Sequence, residues 1–292
     1  MLAAFALCRF LATSSSVLLF GASAMLALSG SRSLSLSMEA ALRPLLRAAA
    51  TIGVLAVLCL LPLQAASIAE DWQAATDLGM LGTVAFQTRY GLAWCLRMVA
   101  VLLVLAVVLR ADPGRGRLRA VVTGAALLPL GLSGHAAMEE GWAGYAHAAN
   151  DMLHCVAAGF WLGSLPVFLL LLRRWQEPAR RQDALRAVMR FSSAGRVAVA
   201  VLLISGVVNA ALILRSATLE LASGYLQALA AKILLALAMV ALAVVNRYRW
   251  VPRIRGAPDM ALRRIRRNTI AELCAGGAVL LLVGLLGLLP PP

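Results

Sequence analysis

All three histidines of this 292-residue chain fall in one stretch, GHAAMEEGWAGYAHAANDMLHC, from Gly134 to Cys155. His147, Asp151 and His154 follow at i, i+4 and i+7, which places them on one face of a helix. Imidazole and carboxylate donors suit copper, zinc, nickel or iron. Asp151 can instead stand behind the ligands, accepting a hydrogen bond from one imidazole and fixing its tautomer. His135 and Met138 lie one short connection upstream, and a thioether moves the preference of such a set toward Cu(I). The candidate metal ligands are therefore His135, Met138, His147, Asp151 and His154. Cys155, beside the histidine face, and Glu139 read as pathway or supporting groups. With Glu140, Glu139 makes this mouth attractive to cations.

The elements that hold these residues must lie in a membrane. The chain is 62% hydrophobic and 14% charged, whereas a soluble domain carries about 25% charged residues. A span needs about 20 apolar residues. Eight stretches qualify, near 3–28, 45–68, 89–110, 118–137, 147–172, 190–214, 224–246 and 268–289. They are too long and continuous for barrel strands. Only helices then satisfy every backbone group in lipid. The expected fold is an all-α, polytopic membrane helical bundle of about eight transmembrane helices, one integral domain over 1–292. The first stretch lacks a basic leader and is interrupted by Arg9, so it reads as a span rather than a signal peptide. The five cysteines form no CxxC pair, which speaks against a disulfide framework.

Charge gives the orientation. Arginines crowd the connections after spans one, three, five and seven, as in Arg173, Arg174, Arg180 and Arg181, while the alternate connections hold only Arg89 and Arg215. The basic side is cytoplasmic by the positive-inside rule, so both termini face the periplasm. The net charge of +14 is distributed as topology requires, and nucleic acid is excluded as a partner. The lipid bilayer is the surrounding partner. Four bases fall inside spans: Arg9, Arg97, Arg196 and Lys232, the sole lysine. Buried charges of this kind need partners or a wet cavity. Arg97 and Lys232 belong below the histidines, where they could hold an anion, pair with Asp151 or close a pathway electrostatically. Arg196 is expected to pair with Glu272, and Asn209 to bond between helices.

Several motifs then stand in order: GHA at 134–136, ND-x-x-H at 150–154, FWLGSL at 160–165, RFS at 190–192 and SGVVNA at 205–210. YLQALAAK at 225–232, NRYRWVP at 246–252 and AELCAG at 271–276 follow. Together they resemble the CopD family of copper-resistance inner-membrane proteins. The resemblance implies an eight-span bundle in the bacterial inner membrane that handles a copper ion at its periplasmic face. It also implies a periplasmic CopC-like copper carrier as donor. It bears most directly on His135, Asp151 and His154. The expected function is a non-enzymatic, copper-binding permease moving copper from periplasm toward cytoplasm, with Cu(I) and Cu(II) both open. No Walker A loop or DKTG sequence is present, so transport would not be directly ATP-driven. A haem- or copper-dependent membrane redox protein, and a copper sensor or assembly factor, remain as alternatives.

Overall fold

The computed structural model describes residues 1–110, 116–132, 141–214 and 223–289, and within these the chain is helical with no strand. The helices are α1 (Leu2–Leu28), α2 (Arg32–Ala69), α3 (Leu78–Gln87), α4 (Arg89–Arg110), α5 (Gly116–Ala125), α6 (Gly141–Arg174), α7 (Arg181–Leu214), α8 (Gly224–Val245) and α9 (Pro258–Leu286). Among the described residues, seven helical segments are long and apolar enough to cross a membrane: α1, α2, α4, α6, α7, α8 and α9.

Several helices outrun the spans expected of them. α2 starts at Arg32 rather than near 45, α7 at Arg181 rather than 190, and α9 at Pro258 rather than 268. The hydrocarbon edge limits apolarity, not helicity, so an arginine-bearing helix continues into the headgroups and water. α2, with 38 residues, is about 57 Å long, nearly twice the roughly 30 Å of hydrocarbon. Local chemistry fixes the starts. The Ser31 hydroxyl caps α2 by accepting from Leu34 N, and Asp77 caps α3 by accepting from Gly79 N and Met80 N. α3 lies between two spans with Leu78 and Phe86 exposed, the amphiphilic habit of an interfacial helix.

The stretch expected as a fourth span is not one continuous helix. α5 ends at Ala125 and the chain resumes as a 3-10 turn over Leu128–Leu132. Pro129 in that turn has no N–H to give an α-helix. Its contacts are ordered by depth. Arg119 pairs with Glu39 on α2, Gly124 packs on Phe20, Leu127 lies over Gly159, and Gly131 meets Ala148 and Met152. Residues 133–137 of that expected span lie outside the described residues.

α6 is the centre of the bundle. Of its apolar span 56% is buried, against 6% for the segment containing α7. α1 packs on it where Gly21 meets the backbone of Gly163 and Ser164, and Gly163 meets Val17 O. Two glycines here let backbones touch, the usual device for helix packing in lipid, where no hydrophobic effect drives association. α7 packs on α6, α8 on α9, and α9 on α1. The start of α1 lies at the end of α9: Gly284 meets Ala6 O, and Gly287 meets the Arg9 guanidinium. The start of α1 and the end of α9 therefore lie at one face of the bundle.

Candidate metal centre

α6 carries His147, Asp151 and His154 in its N-terminal half, on the one face their spacing predicts. His147 is buried, and Asp151 and His154 are half-buried. α7 then fixes two of the three from the side. His154 Nδ1 and Ser205 Oγ are 3.0 Å apart. The Ser205 hydroxyl donates to Val201 O at 2.7 Å, so its oxygen is left to accept. The Leu202 carbonyl is also in reach of the imidazole. With the Ser205 hydrogen committed to Val201 O, the Ser205 oxygen is an acceptor for Nδ1–H, which assigns the proton to Nδ1 and leaves the Nε2 lone pair for an ion. Gly206 makes room, because a side chain there would meet the His154 ring.

Asp151 is held in a chain of amides. Asn209 Nδ2 donates to Asp151 Oδ1 at 2.9 Å, and Asn150 Nδ2 donates to Asn209 Oδ1 at 2.6 Å and to Ser205 O at 2.9 Å. This is the interhelical role expected of Asn209. Asn150 and Ser205 did not stand out in the sequence as supporting groups. Their signals were the Asn150–Asp151 tandem and the i, i+4 spacing of Ser205 and Asn209, which puts both on the α7 face toward α6.

Lys232 on α8 and Asp151 act on each other electrostatically, and Lys232 also acts on His154 and Cys155. Arg97 on α4 is buried and acts on Cys155 from the other side. Lys232 and Arg97 thus both act electrostatically on residues of this part of α6. The expected pair of Arg196 with Glu272 is not formed. Arg196 lies on an exposed face of α7, whereas Glu272 is 3% exposed and accepts from Asn246 Nδ2 at 3.0 Å. The residues were matched by depth along the membrane, but α7 turns position 196 outward.

The rest of the proposed ligand set, His135 and Met138, lies outside the described residues, with Glu139 and Glu140. Among the described residues, no group of three His, Cys, Asp or Glu side chains is close enough to hold a metal ion. The described geometry therefore supplies an oriented imidazole and an oriented carboxylate on one helix face, with His147 one turn above Asp151. Imidazole and carboxylate donors of this kind suit a borderline ion such as copper.

Comparison with known proteins bears on what such an ion would be. Residues 1–145 match the family model for the copper resistance protein D-like N-terminal domain, and residues 185–286 match that for copper resistance protein D. The chain is 36% identical over 265 residues to copper resistance protein D of Pseudomonas syringae pv. tomato, covering 85% of this chain and 84% of that one. The chain belongs to the copper resistance protein D family. It is also 35% identical over 209 residues to inner membrane protein YebZ of Escherichia coli (strain K12), covering 70% of each chain. Copper transport protein CutJ of Bacillus subtilis (strain 168) is 31% identical over 253 residues, 82% of this chain but 44% of its own length. No solved structure matches. Membership makes this a copper-resistance-type, multi-span membrane protein and supports reading the α6–α7 donors in terms of copper.

Proposed function

We propose that the protein is a copper-binding inner-membrane permease that receives copper at its periplasmic face and passes it toward the cytoplasm. The observation that carries the reading is the pair His154 and Asp151, each fixed by a partner on α7 and each on the face of α6 that carries His147. A side chain held by such partners is one prepared to bind. Family membership favours copper as the ion. His135, Met138 and Glu139 would complete or approach the set from the connection above, and a periplasmic CopC-like carrier would deliver the ion. On this reading the protein is a transporter and not an enzyme. His147 and His154 share one helix face and so cannot bind one haem from opposite sides, which leaves a bis-histidine haem dependent on His135.

The same reading has eight crossings with both termini periplasmic. It is supported by the climb of Arg119, Gly124, Leu127 and Gly131 past Glu39, Phe20, Gly159 and Met152. It is also supported by the packing of the start of α1 on the end of α9, which needs an even number of crossings.

The test is copper content of the purified protein beside His154→Ala. Copper is expected in stoichiometric amount and is expected to fall by more than the roughly 10–100-fold typical of losing an outer partner. Equal copper in both proteins would remove the assigned site. Copper flux into liposomes separates a permease from a sensor or assembly factor. Tight binding without flux would leave the site and refute transport.

A further inference from the structure

The turn between α8 and α9 gathers positive charge that the metal centre does not use. From Asn246 to Arg267 the chain has eight arginines and one acid, Asp259. Topology asks only that such charge stand on one side of the membrane. Three of these arginines also converge. The Arg249, Arg253 and Arg264 guanidinium carbons lie 5.4, 5.7 and 5.7 Å from the centroid of the Trp250 ring. Two come from the turn and one from α9, so the packing of α9 on the turn closes the group. The indole is half-buried and packs on the main core, which fixes the centre of the cluster. The three charges then stand within about 11 Å of one another, near the Debye length at 0.1 M salt.

Among the described residues none of the three is within ion-pair distance of a carboxylate. All three are exposed, and the hydrogen bond that occupies one of them runs from Arg253 Nη1 to Arg249 O at 2.6 Å. An indole face attracts cations, but one ring does not neutralise three charges. Guanidinium forks match the oxygens of a phosphate. The place of the cluster says which phosphate. α8 and α9 are both long and apolar enough to cross a membrane, so the turn that joins them stands at a membrane interface whichever way the bundle faces. Tyr248, Val251 and Met260 are exposed beside the arginines, a mixture of aromatic and apolar groups that suits the headgroup level. We propose that Arg249, Arg253 and Arg264 hold the phosphate of an anionic phospholipid at Trp250, with its acyl chains toward the exposed apolar side chains of the turn. The lipid would tie the turn to α9 and offset part of the gathered charge. The proposal rests neither on copper nor on the orientation of the bundle.

Native mass spectrometry of the full chain tests this, with phosphatidylglycerol or phosphatidylcholine titrated in detergent at constant ionic strength. Wild type is expected to bind its first phosphatidylglycerol more tightly than phosphatidylcholine by about 100-fold, three basic residues at about 5-fold each. Arg264→Gln is expected to weaken phosphatidylglycerol binding about 5-fold or more. Arg263→Gln removes the same charge one position away, from an exposed residue that is not on the ring. It is expected to change binding by no more than about 2-fold, because salt screens a charge that makes no contact. Inorganic phosphate in place of chloride is expected to leave the lipid bound. Should a variant fail to fold, a photoactivatable phosphatidylglycerol on the wild type reads the same site, with its crosslink expected between residues 248 and 264. Equal affinity for the two lipids, equal losses in the two variants, full displacement by inorganic phosphate, or crosslinks confined to other segments would each overturn the proposal.

Discussion

At the scale of single residues, Ser205 shows how a plain hydroxyl on one helix orients a candidate ligand on another. Its oxygen accepts a hydrogen bond from His154 Nδ1–H and so leaves Nε2 as the free ring nitrogen. Ser205→Ala is expected to weaken copper binding about 10-fold or more while leaving folding intact, the usual effect of losing an orienting partner. Calorimetric titration beside His154→Ala checks this, and unchanged affinity would assign His154 another tautomer. Glu39 and Arg119 are a second case. They pair at 2.5 Å with both side chains nearly fully buried. Arg119→Met strands the carboxylate and is expected to cost about 3–5 kcal/mol, whereas replacing both partners by leucine is expected to be near neutral. Unfolding in mixed micelles measures the contrast. The sequence displayed His147, Asp151 and His154 through their spacing, but not Ser205 as a partner. One serine in an apolar run looks like any other until a neighbouring helix is docked against it.

At the scale of elements, the α1–α6 contact is the seam on which the bundle closes. A Cβ at Gly163 would overlap Val17 O, while one at Gly195 on α7 would meet nothing within 4 Å. Gly163→Leu is therefore expected to destabilise by at least the upper end of the about 1–3 kcal/mol of overpacking. Gly195→Leu is expected to be neutral or slightly stabilising, since leucine is the better helix former. Thermal unfolding of the two variants tests whether close approach or composition sets glycine's role. The positions of seven long apolar helices were legible because apolar length is a local property. Their ends were less so, because α2, α7 and α9 continue through arginine-bearing turns that a hydropathy argument stops at.

At the scale of the whole molecule, two large facts fit together. Arginines mark one face, and the two chain ends meet at the other, Ala6 against Gly284. Reporter fusions at each terminus are expected to show periplasmic exposure of both. Reporters on opposite sides would contradict the packing of α1 on α9, and two cytoplasmic reporters would invert the orientation.

Sequence alone determined the all-helical membrane class, the seven long apolar helices and the stretch that carries the histidines, because each depends on composition or on spacing along one chain. Only the tertiary structure decided which side chains are neighbours. It matched Ser205 to His154, Asn209 to Asp151 and Glu39 to Arg119, and it separated Arg196 from Glu272. The reason is rotational: a helix can bring any of its faces to a neighbour, and the choice is made by the packing of all of them at once.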